Sequence, residues 1–98
     1  MAFIQIIEFQ TRRIDEFESL VADWLKKSEG WRTSTRSIRT KDRDRPNTFV
    51  QIVEFPSYEK ALDNSNNPAT AEFAEQLAKL CDAPPSFRNL DVLTEEAV

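Results

Sequence analysis

The side chains of this chain that could do chemistry are one asparagine, one tyrosine and a few arginines, and the sequence contains no histidine. Asn64 carries an amide that can orient a carbonyl or phenol group, and Tyr58 carries the only phenolic hydroxyl. Arg32 and Arg36 belong to a locally basic segment whose guanidinium groups could bind a carboxylate or a phosphate. The lack of histidine excludes Ser-His and Cys-His nucleophile pairs, axial histidine ligation of haem and any metal site that needs histidine.

Each of these residues also has an ordinary structural interpretation. Asn64 stands in an asparagine-rich run, where capping and helix-ending asparagines are common. The Tyr58 hydroxyl could simply reach solvent. Arg32 and Arg36 would share one face of a polar edge strand, where charge opposes aggregation. Function and structure therefore both stay open for these positions.

Several aromatic and amide side chains also have both a functional and a structural interpretation. Trp24, Phe55 and Phe73 could wall an aromatic pocket, although aromatics at helical spacing more often belong to a core. Gln5 and Gln51 occupy equivalent points of two similar segments. If those segments are neighbouring antiparallel strands, the two amides can share hydrogen bonds as a satisfied buried pair.

The composition bounds the class of protein. With 98 residues, the chain is predicted to be a single domain over residues 1–98. A net charge of −4 and a pI near 4.8 argue against nucleic-acid and anionic-membrane partners, and no apolar run is long enough for a membrane span. The single Gly30 excludes a phosphate-binding glycine loop. One cysteine, Cys81, and the absence of a leader-like segment predict a cytoplasmic protein.

An internal repeat organises the chain. The segment Phe3-Ile-Gln-Ile-Ile-Glu-Phe9 returns as Phe49-Val-Gln-Ile-Val-Glu-Phe55. Both copies are rich in β-branched and aromatic residues and are apolar on both faces, which is typical of central strands covered on two sides. A helical pattern follows each copy, so the chain consists of two βα halves.

The helical patterns have clear ends. Apolar spacing predicts a first helix over residues 12–29, with Gly30 as a left-handed residue just beyond its end. A second helical region begins after Ser57 as N-cap and is interrupted at residues 64–68, where Asn67 can cap a new helix with Pro68 at its first position.

The remaining segments complete a βαββαβ order. Residues 31–40 are predicted to form a polar edge strand, residues 41–47 a charged hairpin loop and residues 86–93 a last strand, followed by a frayed acidic tail over residues 94–98. This order predicts an α+β, ferredoxin-like fold, with a four-stranded antiparallel sheet and two helices on one face. Because the repeated strands are apolar on both faces, the open face should be covered by a second copy of the chain, which predicts a homodimer.

The second half of the chain resembles the antibiotic biosynthesis monooxygenase-like family of dimeric α/β-barrel proteins. The family pattern has an acidic residue and an aromatic at a strand end, a histidine, a Pro-His pair and a later aromatic. Four positions match this pattern, namely Glu54, Phe55, Pro68 and Phe73. Asn64 and Ala69 stand at the two histidine positions.

The resemblance implies two sheets packed face to face in a dimer and a pocket between the helices and the sheet of each protomer. Members of the family oxidise quinol-like or polycyclic aromatic substrates with molecular oxygen and no cofactor, and others degrade haem. The absence of both histidines argues against haem degradation here. The resemblance thus predicts a cofactor-independent monooxygenase-like protein for a small aromatic substrate, with Asn64 and Tyr58 as catalytic residues.

In that hypothesis, the substrate-binding residues are Trp24, Phe55, Phe73, Arg32 and Arg36. The alternative is a non-catalytic homodimer that binds a small molecule or is purely structural. The size of the pocket separates the two. A cavity of several hundred Å3 favours a ligand, whereas a pocket filled by its own side chains favours the structural role.

Overall fold

The computed structural model describes residues 2–98 as one sheet with three helices on one of its faces. The elements are β1 (Phe3–Gln10), α1 (Ile14–Lys27), β2 (Arg36–Lys41), β3 (Thr48–Phe55), α2 (Tyr58–Asn66), α3 (Pro68–Leu80) and β4 (Ser86–Asp91). The strands follow the order β2-β3-β1-β4, and each neighbouring pair is antiparallel. This confirms the predicted α+β, ferredoxin-like fold, with the two repeat copies as the central strands.

Two further features concern the C-terminal residues and the length of the helices. Residues 92–98 form neither helix nor strand. Within residues 2–98, no helix combines the length and the apolar character needed to cross a membrane.

Strand β2 begins later than the sequence predicts. The prediction placed it at residues 31–40, whereas it spans Arg36–Lys41 and residues 32–35 have no strand structure. The Thr33 side chain and backbone bond to α2 instead of to β3. The idea that Arg32 and Arg36 share a strand face is therefore wrong, because Arg32 lies in the α1–β2 connection.

The end of α1 does not use a left-handed glycine. Gly30 has no positive φ, and the helix ends at Lys27 with Ser28 (φ −96°, ψ 0°) as its C-cap. The Ser28 backbone N–H and hydroxyl both donate to the Trp24 carbonyl, at 2.9 and 2.6 Å. The Arg32 guanidinium donates a hydrogen bond to the Leu25 carbonyl at 2.9 Å. These groups satisfy two of the last four carbonyls of the helix, those of Trp24 and Leu25, without a left-handed turn.

The second helical region is two separate helices, so the helical layer holds three rather than two. Asn67 ends α2 and begins α3, and its side chain accepts the Ala69 backbone N–H at 2.9 Å, with Pro68 at the first position. Ser57 caps α2 in the same way through the Lys60 N–H at 3.2 Å. Both caps were predicted from the sequence and are confirmed.

The Asn67 cap gives a stability prediction. Replacing Asn67 by Ala removes the acceptor for the first turn of α3, so we expect Asn67→Ala to lower the free energy of unfolding by about 1 kcal/mol. Urea unfolding measures the change. The matched control is Asn66→Ala, one residue earlier and exposed, which should change stability much less. An equal loss in both variants would contradict the capping role.

The buried core consists of two aromatic clusters at opposite ends of the central strands. One contains Phe3, Phe55 and Ala61, and the other contains Phe9, Phe17 and Phe49. In the second cluster, the rings of Phe9 and Phe17 stack with centroids 4.3 Å apart. The middle of the two strands adds no fully buried residue to either cluster, although Val53 packs against the first and Ile7 against the second. This leaves room between helices and sheet.

Candidate functional site

A cavity of about 330 Å3 lies between the helices and the sheet. Its floor and roof include Gln5, Ile7, Gln51 and Val53 from the sheet and Val21, Trp24, Phe73 and Leu77 from the helices. This volume is within the range of small-molecule sites. The cavity is therefore open and is not filled by the protein's own side chains.

The internal repeat explains why this space exists. In the antiparallel register, Phe3 pairs with Phe55 and Phe9 pairs with Phe49. Each end of the strand pair thus receives two phenylalanines that fill the gap beneath the helices. The middle of the pair presents the shorter glutamine, isoleucine and valine side chains to the same face. The large side chains hold the layers apart, and the smaller ones between them leave the cavity.

One wall of the cavity is aromatic. Trp24 of α1 and Phe73 of α3 stack with ring centroids 4.4 Å apart and planes 2° from parallel. Trp31 packs edge-on against Trp24, with centroids 5.4 Å apart. Phe55 also lines the cavity and is buried. Trp24, Phe55 and Phe73, all named from the sequence, are thus brought to one space, where flat apolar surfaces suit an aromatic ligand.

The polar end of the cavity joins Arg32 and Asn64. The backbone N–H of Thr33 donates to Asn64 Oδ1 at 3.3 Å, and the Thr33 hydroxyl donates to the Lys60 carbonyl at 2.6 Å. Thr33 therefore ties the α1–β2 connection to α2. Its neighbour Arg32 is held from the other side, because its Nη1 donates to the Leu25 carbonyl and to Ser28 Oγ, at 2.9 and 2.8 Å.

These bonds decide which polar atoms remain for a ligand. Asn64 Oδ1 is used by an N–H donor, so the other polar atom of its side chain, Nδ2, is a donor. The bonds that residues 2–98 make with the Arg32 guanidinium both go to Nη1, and Nε and Nη2 are also donors. Asn64 and Arg32 thus offer N–H groups, which suit an anionic oxygen such as a phenolate, an enolate or a carboxylate.

The sheet floor carries a second polar strip that the sequence prediction did not identify. Gln51 Nε2 donates to Ser37 Oγ, and Arg39 Nη1 donates to Gln51 Oε1 at 3.4 Å. Gln5 instead donates to Asn89 Oδ1 at 3.3 Å. The predicted Gln5–Gln51 pair is wrong, because the register places the two residues diagonally and each meets an outer strand. Their odd positions in the repeat were the signal that both face the helices.

Two predicted site residues lie outside the cavity. Tyr58 is 50% exposed and packs edge-on against Phe3, with ring centroids 5.3 Å apart. Arg36 lies on β2 with its Nε 3.8 Å from Glu54 Oε2. The even positions of β3 alternate away from those that line the cavity, so this ion pair belongs to the opposite face of the sheet.

The charge that lines the cavity belongs to Arg32, and a second guanidinium, that of Arg39, reaches the floor through its bond to Gln51. Of the lining residues in the described range 2–98, Arg32 alone carries an ionisable group.

The groups with shifted pKa values lie outside the cavity. Burial, with a smaller contribution from Asp82, raises the pKa of the Cys81 thiol, which packs against the cluster of Phe9, Phe17 and Phe49. The Asp44 backbone N–H and the Arg45 guanidinium lower the pKa of the Asp42 carboxyl, in the β2–β3 loop. No group of three potential metal-binding side chains occurs within residues 2–98.

The architecture is shared with solved structures at low sequence identity. SnoaB of Streptomyces nogalater, described as a cofactor-independent oxygenase, is 17% identical with a TM-score of 0.80, over 96% of this chain and 95% of that one. Rv0793 of Mycobacterium tuberculosis is 14% identical with a TM-score of 0.78, over 99% and 100%. A Caulobacter crescentus protein, named as a candidate antibiotic biosynthesis monooxygenase, is 10% identical with a TM-score of 0.80, over 95% and 91%.

No protein-family model and no curated protein sequence matches the chain. The resemblance seen in the sequence is confirmed at the level of the fold: the chain has the ferredoxin-like fold of the antibiotic biosynthesis monooxygenase-like proteins.

Proposed function

We propose that this protein is a cofactor-independent monooxygenase-like protein that binds a small aromatic substrate in the cavity between helices and sheet. The observation that supports it most is the cavity of about 330 Å3, with the stacked Trp24 and Phe73 on one side and the donors of Arg32 and Asn64 at one end. An electron-rich ring would lie against the aromatic wall. Its ionised oxygen would face the donors.

The chemistry requires only the substrate and molecular oxygen. A ring-flanked CH2 group becomes C=O while O2 supplies one oxygen to the product and one to water, so the substrate provides all four electrons. The substrate reacts as its anion, which forms in solution by losing its proton to water before it binds, because the cavity-lining residues of the described chain include no carboxylate. The charge of Arg32 and the N–H of Asn64 stabilise that anion, and the apolar walls keep water away from it.

The solved relatives support this assignment. SnoaB is described as a cofactor-independent oxygenase, and an asparagine-to-alanine variant of it has a structure that also matches this chain, with a TM-score of 0.81 at 17% identity. For this chain we propose that Asn64 donates a hydrogen bond to the substrate, because its Nδ2 is a donor at the polar end of the cavity.

Asn64→Asp tests the role of Asn64. The aspartate keeps an oxygen for the Thr33 N–H but replaces the donor Nδ2 by an anionic oxygen. We expect an unchanged melting temperature and a loss of about 100-fold in turnover, as for removal of one oxyanion donor. Oxygen uptake with polycyclic phenols whose keto form carries a ring-flanked CH2 group measures turnover, after a thermal-shift screen has found the ligand class.

Asn66→Asp is the matched control, since it makes the same change at an exposed position of α2. It should keep full turnover. Tyr58→Phe decides whether the tyrosine keeps its predicted catalytic role from outside the cavity. Equal losses in the variants at positions 64 and 66 would contradict the assignment, as would a screen in which no aromatic class shifts the melting temperature.

A second function has an observation in its favour. A protein that must remove a proton from its substrate usually provides a base in the site, yet the cavity-lining residues of the described chain include no carboxylate, and Arg32 cannot serve as one. This favours a protein that binds an aromatic molecule without transforming it. Ligand-induced stabilisation without oxygen uptake would establish that role.

A further inference from the structure

We infer that Arg32 is a specificity-determining residue that selects aromatic ligands bearing a carboxylate. The inference concerns which ligand enters the cavity, and it uses the site of the proposed function without requiring any turnover. It rests on the anchoring of Arg32, on the charge that it contributes to the lining of the cavity and on the polarity of its neighbour Asn64.

The guanidinium is fixed before any ligand arrives. Its Nη1 group donates both of its hydrogens, one to the Leu25 carbonyl at 2.9 Å and one to Ser28 Oγ at 2.8 Å. Ser28 is itself fully buried and bonded to Trp24. The opposite edge of the planar group consists of Nε and Nη2, two parallel donors whose spacing matches the two oxygens of a carboxylate. A prepared fork of this kind loses little side-chain entropy on binding.

The surroundings do not already neutralise this charge. Each of the ion pairs formed within residues 2–98 involves another arginine, namely Arg12, Arg13, Arg36, Arg39 or Arg45. Arg32 is partly buried and is bound by a carbonyl and a hydroxyl rather than by a carboxylate. A ligand carboxylate would complete an ion pair inside a mostly apolar cavity, where such a pair is stronger than on the surface.

The ligand has to meet both the aromatic wall and Arg32, and both are connected to the end of α1. Trp24 and Leu25 lie on the last turns of α1, one of them in the aromatic wall and the other holding Arg32. For the probe we choose a flat ring that bears its acidic group directly, so that one small molecule presents both an aromatic face and a carboxylate to the cavity. Fused-ring carboxylates such as 2-naphthoate fit this description.

The test compares 2-naphthoate with 2-naphthamide, its neutral analogue of nearly equal shape, by calorimetry and by quenching of tryptophan fluorescence. We expect the carboxylate to bind at least about 10-fold more tightly to the wild-type protein, because charged hydrogen bonds are the stronger ones. Arg32→Met should remove that preference. Arg36→Met, at an exposed arginine on the other face, is the matched control and should keep it.

Arg32 also satisfies the end of α1, so Arg32→Met could fail to fold. Arg32→Lys then serves as the second variant, because it keeps the charge and loses the fork. It should show a clearly smaller preference than the wild type. Equal binding of the two ligands to the wild-type protein would overturn the inference, as would an undiminished preference in Arg32→Lys.

The outcome is independent of catalysis, since binding is measured in the absence of a reaction. Oxygen uptake with neutral phenols and no preference for 2-naphthoate would leave the proposed function standing and refute the role of Arg32. Carboxylate selection without uptake would support the role of Arg32 and refute the oxygenase. The two failures are therefore distinguishable.

Discussion

Ile52→Lys is expected to abolish the homodimer that we propose for this protein and to leave a monomer. Ile52 pairs with Ile6 of β1 and with Ile38 of β2, so these three isoleucines form a row across the sheet. They alternate with the cavity-lining residues and therefore lie on the face without helices. We propose that a second copy of the chain covers this face, because an apolar sheet face of this kind is rarely left in water.

The expected effect is large because the change occurs twice in a symmetric dimer. Each lysine would bring an unpaired charge into an apolar contact, at a cost of several kcal/mol. We expect the dissociation constant of the dimer to rise by about 1,000-fold, which corresponds to about 4 kcal/mol. Light scattering and sedimentation velocity over a range of concentrations measure the molecular mass.

Charged groups around this row are consistent with a defined contact. Arg36 and Glu54 approach to 3.8 Å at one end of the face, and Arg45 bonds to Glu8 at 2.9 Å at the other. Leu62→Lys, at a 39%-exposed leucine of α2, is the control and should remain a dimer. A monomeric wild-type protein, or a dimeric Ile52→Lys variant, would refute the proposed interface.

Phe17→Ala is expected to have the largest effect on stability. Phe17 of α1 is only 5% exposed, and its ring stacks on that of Phe9 with centroids 4.3 Å apart. This contact packs the helix against the sheet beside the cavity. Truncating a buried phenylalanine costs about 3–5 kcal/mol. For a domain with a total stability of about 5–15 kcal/mol, this removes a large fraction. Urea unfolding of the wild-type protein and the Phe17→Ala variant, at the same protein concentration, measures the loss of unfolding free energy.

Phe87→Ala is the matched control for that experiment. Phe87 is the same residue type but is 55% exposed at the β4 side of the cavity. We expect its replacement to cost less than about 1 kcal/mol. Similar losses of unfolding free energy for the two variants would show that the cluster of Phe9, Phe17 and Phe49 does not contribute the stability assigned to it.

Much of the fold could be predicted because its signals are local. The central strands follow from alternating and two-sided apolar patterns in the repeat, and the break at Asn67 and Pro68 follows from capping chemistry within one turn. The errors arose where distant groups compete for the same segment. Gly30 is not left-handed because Arg32 and Ser28 satisfy the end of α1, and β2 begins late because Thr33 binds α2.

The fold, the central strands with two apolar faces and the aromatic positions Trp24, Phe55 and Phe73 that line the cavity could all be predicted from residue patterns. These depend on interactions between near neighbours and on the two periodicities of regular structure. Tertiary structure alone decided that Arg32 and Asn64 share one end of the cavity and that Tyr58 lies outside it. Tyr58 and Asn64 both belong to α2, where each residue turns by about 100° from the last, so the docking of α2 decides which of the two reaches the site. Arg32 reaches it because the α1–β2 connection is bonded to the end of α1 and to α2.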